Sequence, residues 1–420
     1  MREEKIKEEI RKCSKCGACR SVCPLVEVDQ METAVARGKI EVIRRDLGGE
    51  LPATDAAIRE FLDNCLLCGR CESRCPNQVK TVQIFSHARA NHTSYGEMFF
   101  GKKALVKSLG LSSSSIKAAS LVGKGLLSIL TEKIPSSSGI FYRFPTLTQK
   151  EGRMFPEIPR QSFLDLRGKS IHDFAGQEAD LMFTGCLLNY IYPTVLEMTH
   201  GAITGDGGGK KFGAPAEQNC CGLPALGAGD LKGAMELGEK NIKLFQQVQK
   251  GTIVFPCGSC LYMVKKVYPD LFAGTELHGP SLDLADRCRD YESYLVDQAV
   301  RSLKPSPASE GQTVAYHRPC HLVSIPGAIE RAEFLLSGVL GERFVEMKGA
   351  EKCCGFGGTF NLVKYQKSIN MGLSKVKLAE ESGADILATS CSGCINHLSE
   401  SVARSRSRIR VMHVGELFDI

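Results

Sequence analysis

Eighteen of the nineteen cysteines in this 420-residue chain fall into four spaced groups, and that spacing constrains the fold more than any other property. Two groups are tight runs near the start, "CSKCGACRSVCP" at 13–24 and "CLLCGRCESRCP" at 65–76, each reading C-x2-C-x2-C-x3-C-P. The other two are sets of five: Cys186, Cys220, Cys221, Cys257 and Cys260, then Cys320, Cys353, Cys354, Cys391 and Cys394. Matched members of these sets lie 133 or 134 residues apart, so the C-terminal part of the chain is an internal duplication. Each set contains an adjacent pair followed by glycine, Cys220-Cys221-Gly222 and Cys353-Cys354-Gly355. An odd thiol count suits a disulfide framework poorly, and metal binding is the leading explanation for so many cysteines. Cys288 alone stands outside the groups and reads as a small, half-buried residue.

Composition narrows the class. Hydrophobic residues at 43% and charged ones at 24% are ordinary for a folded domain, and the net charge of +6 is spread out. No Lys/Arg tract is interleaved with aromatics, so no nucleic-acid partner is expected. The opening "MREEKIKEEIRK" is charged where a secretory leader needs an apolar stretch, and no apolar run is long enough to span a bilayer. The expected location is cytoplasmic, with a peripheral place at the inner face of the membrane left open. No G-x-G-x-x-G follows an expected strand, and "GDGGGKK" at 205–211 misses the P-loop spacing. The chain is therefore expected to carry no flavin or nicotinamide of its own.

The two N-terminal runs have the spacing that holds [4Fe–4S] clusters in bacterial-type ferredoxins. There the first three cysteines wrap one cubane, while the fourth, turned away by the following proline, ligates the other. On that rule Cys13, Cys16, Cys19 and Cys75 hold one cubane, and Cys65, Cys68, Cys71 and Cys23 hold the second. Gly17 and Gly69 lie inside the tight loops, where a missing Cβ lets the backbone come close. Zinc is the competing reading, since four thiolates also suit it, and two full copies of the run weigh against it. The insert between the runs reads helical in "TAVARGKIEVIRRDL" and "TDAAIREFLDNC", with Thr54 as an N-cap. A mostly helical two-cluster module over 1–92 is the expectation.

Residues 93–178 carry no cysteine and read as a linker or helical connecting region. "GLSSSSIKAASLVGKGLLSIL" and "IPSSSGIFYRFP" are rich in Ser, Gly and Pro, which mark loops and breaks. Lys102, Lys103, Lys107, Lys117, Lys124 and Lys133 dot apolar segments here. Two readings stand: a basic amphipathic helix touching an anionic membrane surface or membrane partner, or a connecting helix packed on a domain.

Each repeat, 179–305 and 306–420, follows one script. An apolar run ends at a cysteine ("ADLMFTGC", "TVAYHRPC"), and the doublet precedes a helical stretch ("LKGAMELGEKNIKLFQQV", "YQKSINMGLSKVKLAEES"). A second apolar run then ends in a pair ("TIVFPCGSC", "DILATSCSGC"). Strands alternating with helices imply a parallel α/β sheet, with cysteines at the strand ends where such sheets place ligands. Gly222, Gly258, Gly355 and Gly393 are expected to free the backbone to bend around a cofactor. The whole is an α+β multidomain chain, a helical ferredoxin domain followed by two pseudo-symmetric α/β repeats. Five thiolates exceed what one cubane needs, and zinc likewise leaves a fifth unemployed. Adjacent cysteines can reach two irons, which points to an iron–sulfur assembly of unusual shape.

These C…CCG…CxxC repeats resemble the cysteine-rich "CCG" domain family. It includes the catalytic subunit of heterodisulfide reductases and the iron–sulfur subunits of glycolate oxidase, lactate-utilisation and anaerobic glycerol-3-phosphate dehydrogenase complexes. The resemblance covers residues 10–90 and 180–420, and the order of modules is similar to the glycolate oxidase iron–sulfur subunit and the heterodisulfide reductase D subunit. It implies a noncubane [4Fe–4S] cluster in one or both five-cysteine sets. Glycolate oxidase subunits often lack the first cysteine of the CxxC pair, which Cys257 and Cys391 supply here. The resemblance further implies an electron-transfer subunit that relays electrons from a flavoprotein dehydrogenase of 2-hydroxy acids toward quinone or another acceptor. The alternative is a catalytic disulfide reductase, for which His317 and His321, flanking Cys320, are candidate proton donors, with His397 close to Cys394.

Overall fold

The structure is a computed structural model that describes residues 3–51, 54–92, 159–205, 211–248, 250–298 and 303–419, together with the strands Glu132–Ser136, Gly139–Phe144 and Arg153–Pro156. The N-terminal module is built from α1 (Glu3–Arg11), α2 (Ala36–Leu47), α3 (Asp55–Asp63) and α4 (Thr81–Asn91). On α2, Ala36, Ile40 and Ile43 recur at helical spacing and are buried against Ile6, Ile58, Leu62, Ile84 and Phe85 from the other helices. Thr54 caps α3 as expected, its hydroxyl accepting from Ala57 N at 3.3 Å.

The duplication is visible as two four-stranded sheets. The first contains β1 (Ala179–Met182), β2 (Lys211–Gly213), β3 (Ile253–Phe255) and β4 (Cys288–Asp290), in the order β2-β1-β3-β4. The second contains β5 (Val314–Tyr316), β6 (Phe344–Val345), β7 (Ile386–Thr389) and β8 (Arg410–His413), in the matching order β6-β5-β7-β8. All neighbours are parallel, with Leu181 opposite Ile253 and Leu387 opposite Ala315. β1 and β7 are buried along their whole length, which is why they read as continuous apolar runs rather than alternating ones. Helices cover the sheets, α5 (Pro193–Thr204) and α6 (Leu231–Phe245) on the first, α7 (Ala328–Leu340), α8 (Tyr365–Glu381) and α9 (Ser392–Ser405) on the second. One core runs through both lobes, joining Leu181, Met182 and Phe255 to Ala315, Leu387 and Leu398.

Three details depart from the sequence reading. The segment around "IPSSSGIFYRFP" is not loop but two strands of a three-stranded antiparallel sheet, with Phe141 opposite Ile134 and Pro156. Its bulky β-formers outweigh the turn residues between them. Phe163, Ile171 and Phe174, from the connecting stretch, are buried in the first lobe's core. Cys288 is fully buried, on β4, its thiol donating to Leu284 O at 3.1 Å. The lysines from 102 to 124 and most of "GDGGGKK" lie outside the described residues. Among the described residues no helix is long and apolar enough to cross a membrane.

The helical module is clamped to both lobes. Arg89, 1% exposed, donates to Leu62 O (2.8 Å) and Cys65 O (2.6 Å) in its own module and to Gly227 O (2.7 Å) in the first lobe. Lys367 and Lys352 of the second lobe pair with Asp29 (2.6 Å) and Glu27 (2.8 Å).

Candidate metal centres

Three cysteines of one run and the last of the other converge twice in the helical module. One small cavity is walled by Cys13, Cys16, Cys19 and Cys75, with Cys71 also lining it. Its neighbour is walled by Cys23, Cys65, Cys68 and Cys71. The prolines after Cys23 and Cys75 line these cavities as well. Burial pushes the Cys23 thiol up to about 11 and raises that of Cys71 also, so neither ionises without positive charge nearby. Part of that charge is Lys39, 1% exposed, whose ammonium donates to Ala34 O (2.6 Å) and Thr33 O (2.9 Å) and is felt by Cys65 and Cys23.

In each repeat the five cysteines come from three strand ends. Cys186 follows β1, the Cys220–Cys221 doublet follows β2, and Cys257 and Cys260 follow β3. Cys320, Cys353–Cys354 and Cys391–Cys394 repeat the pattern after β5, β6 and β7. The thiols touch in sequence: Cys186 to Cys220 (3.6 Å), Cys221 to Cys260 and Cys260 to Cys257 in the first set. In the second, Cys320 meets Cys353, Cys354 meets Cys394 (3.3 Å), and Cys394 meets Cys391. Donation from neighbouring S–H groups pulls Cys257 and Cys353 well down, while Cys260 and Cys320 are pushed well up. Some thiolates of each set, Cys221 and Cys257 in the first and Cys353 in the second, are thus stabilised at the expense of their partners. All five can ionise together only around cations, which is the chemistry of a metal-cluster ligand set.

The glycines divide into two kinds. Gly222 (φ +88°) and Gly355 (φ +98°) turn the chain after each doublet in a conformation that disfavours other residues. Gly258 and Gly393, expected to bend the backbone too, instead allow close packing. A Cβ on Gly258 would sit 2.5 Å from Leu322 Cγ, and one on Gly393 2.8 Å from Phe356 Cδ1.

The two sets also meet each other. Cys257 contacts Cys391, and the serine of each CxxC motif reaches across to the opposite set. Ser392 Oγ lies 3.2 Å from Cys257 Sγ, and Ser259 Oγ lies 3.1 Å from Cys391 Sγ. At the other end of the second set, Cys68 of the helical module lies close enough to feel the charge of Cys353 and to raise Cys320. Four thiol groups therefore stand in file: the Cys13 group, the Cys65 group, the Cys320 group and the Cys186 group. A cleft of about 630 Å³ opens between module and second lobe beside this file, reaching Cys23 and Cys353 and lined by Arg70, Lys352 and Lys375.

The three histidines differ sharply. His397 is engaged with Ser368 O (2.9 Å) and Asn361 Nδ2 (3.2 Å), a buried packing role. His321 stacks on Tyr262 (4.5 Å between centroids), donates from Nε2 toward Leu67 O (3.3 Å) and meets Ser259 Oγ at Nδ1 (2.8 Å). It thereby joins the helical module and both repeats. His317 is fully buried, and burial pulls its pKa down to about 3. Reading the sequence for ligands passes over Ser259, Ser392, Lys39 and Lys375. The only signal for the serines is their place inside the two CxxC motifs, "CGSC" and "CSGC".

The cysteine-rich (CCG) domain family matches residues 181–265 and 314–399, and the 4Fe-4S dicluster domain family matches 9–79. A lactate utilization protein A from Lysinibacillus sphaericus is 33% identical over 207 residues, 49% of this chain and 89% of the relative. The chain belongs to the CCG-domain iron–sulfur protein family. A second lactate utilization protein A of that family, from Geobacillus kaustophilus, is 32% identical over 239 residues, 57% of this chain and 97% of its own. The probable glycolate oxidase iron-sulfur subunit of Bacillus subtilis is similar along nearly the whole CCG-domain chain, at 25% identity over 97% of it and 93% of the relative.

Proposed function

We propose that this chain is the electron-carrying iron–sulfur subunit of a dehydrogenase complex acting on 2-hydroxy acids such as glycolate or lactate. In this reading Cys13, Cys16, Cys19 and Cys75 hold one cubane [4Fe–4S] cluster, and Cys65, Cys68, Cys71 and Cys23 hold the second. Each five-cysteine set holds a further, noncubane [4Fe–4S] cluster. Bound clusters supply one-electron redox chemistry along the file of thiol groups. The single observation that carries the proposal is that file: Cys68 abuts the Cys320 set, and Cys257 abuts Cys391. The names of the relatives favour 2-hydroxy acids as the substrate class. A flavoprotein partner would oxidise the acid, and the acceptor, quinone or another carrier, would take electrons from the chain.

The protein's own groups prepare this path. Arg89 and the Lys367–Asp29 and Lys352–Glu27 pairs fix the helical module against the lobes, and Lys39 and Lys375 set a buried positive charge beside the second and third groups. The open cleft at Cys353 favours a second reading, in which a small disulfide enters beside the Cys320 set and takes two electrons and two protons to give two thiols.

The test is iron and acid-labile sulfide per chain on protein purified without oxygen. About sixteen irons are expected, four per cluster. About eight would leave only the helical module loaded and overturn the role given to the repeats. On fully loaded protein, disulfide cleavage driven by reduced viologen would favour the second reading. Electron uptake from a 2-hydroxy-acid flavoprotein would favour the first.

A further inference from the structure

The repeats are copies in sequence, yet their thiols have different neighbours. Aligning "ADLMFTGC" with "TVAYHRPC" sets Phe183 against His317, each three residues before the first cysteine of its set. Aligning "MELGEKNIKLF" with "INMGLSKVKLA" sets Asn241 against Lys375. In the first lobe Phe183 stacks on Phe255 and Phe245, at 4.8 and 5.8 Å between centroids. Asn241 there donates to Cys220 O at 3.0 Å. The first site is therefore flanked by neutral groups that are already satisfied.

At the same place in the second lobe His317 has no exposed surface, and the Ala350 carbonyl beside its ring lies outside good hydrogen-bond geometry with either nitrogen. The Ala350 carbonyl beside it already accepts from Arg318 N and from Lys375 Nζ, both at 3.1 Å. Buried polar atoms are almost always paired, and a phenyl ring fills the equivalent space without any such need. The imidazole instead faces Cys354 and Cys394: its donor nitrogen and the two sulfurs all lie within 4.8 Å of one another. Imidazole and thiolate are the usual partners around zinc and iron.

We propose that His317 is a sixth protein ligand of the second site, bound to a metal ion that it shares with Cys354 and Cys394. The first site, with Phe183 in its place, has thiolates only. The inference rests on metal occupancy of the five-cysteine sets, as proposed above, and not on the identity of any electron partner. A metal–nitrogen bond alters the electron density at the metal that carries it, so the potential of the second site depends on His317.

Holoprotein labelled with 15N-histidine, reduced without oxygen, tests this by pulsed EPR. The expected spectrum has the strong nitrogen coupling of a directly bound imidazole, and H317F, which copies the first repeat, loses it. H317F also changes the potential of one cluster with the iron content retained. Absence of a directly bound nitrogen in the wild-type protein overturns the proposal, as does a coupling that persists in H317F. Should H317F fail to load, H317Q serves as the second variant and the wild-type spectrum still decides. An iron count near eight per chain would mean instead that the cluster reading had failed. Zinc-edge absorption on that same protein would then show zinc–nitrogen scattering lost in H317Q, or, if none is present, overturn the His317 assignment as well.

Discussion

Cys257 and Cys391 face each other where the repeats join, and each is met by a serine from the opposite motif. The two serines are not equivalent. His321 Nε2 must carry its proton toward Leu67 O, which can only accept, so neutral His321 presents a bare Nδ1 to Ser259 Oγ. The single hydroxyl proton of Ser259 is thus contested between His321 and Cys391, whereas Ser392 has Cys257 as its only hydrogen-bonding neighbour among the described residues. Hydrogen bonds to ligand sulfurs raise cluster potentials. Ser392→Ala is therefore expected to lower the potential of the cluster proposed for the first repeat by tens of millivolts, although Ser392 belongs to the second repeat. Ser392→Thr should restore it, and a redox titration followed by EPR reads both. Equal potentials in all three proteins would show that the serine only packs. The grouping of the cysteines was legible because their spacing is written along the chain. The serines were not, because their partner sulfurs lie 135 and 132 residues away and only the docking of the lobes brings them within reach.

Among the elements, α4 does more than its sequence suggests. "TVQIFSHARAN" has little amphipathic pattern, and nearly every residue of it is buried, because it is sandwiched between its own module and the first lobe. Arg89 at its end caps carbonyls on both sides, and the glycine it packs against, Gly229, has no room for a side chain: a Cβ there would lie 2.9 Å from the Arg89 backbone. Arg89→Met would strand the Leu62, Cys65 and Gly227 carbonyls and is expected to cost on the order of 3 kcal/mol. Urea unfolding of the holoprotein should show that loss, and limited proteolysis should find the helical module released first. A loss below about 0.5 kcal/mol would mean that water replaces the arginine at no cost. The sheets were easier to foresee than this clamp. Short apolar runs ending at cysteines mark buried parallel strands, and β1, β3, β5 and β7 all lie where those runs fall. The antiparallel strands at 132–156 were hidden by the Ser, Gly and Pro that surround them.

At the scale of the whole molecule the lobes are joined by a polar seam as well as by a shared core. His413, at the end of β8, bonds Pro256 O at 2.7 Å, just before the first CxxC motif. Glu292, just after β4, mirrors it by accepting from Ser390 Oγ, just before the second motif, and Ser390 in turn meets Tyr316 OH at 3.0 Å. Glu292 is fully buried, its other oxygen has no partner among the described residues, and Asp290 lies close by. Burial first, and the Asp290 charge second, raise its pKa from 4.5 to about 8, against the opposing donation from Ser390. Below the unfolded value both folded and unfolded chains hold the proton. Between that value and about 8 only the folded protein keeps it, so stability falls as pH rises through this window and levels off above it. The slope is on the order of 1 kcal/mol per pH unit. Glu292→Gln keeps an acceptor for Ser390 and removes the titration. Its urea midpoint should match the wild-type protein near pH 4.5 and exceed it near pH 8.5, with the difference growing between them. Parallel curves for the two proteins would mean that Glu292 ionises in the folded state as freely as in the unfolded one. Any fall in stability across this window would then come from other groups.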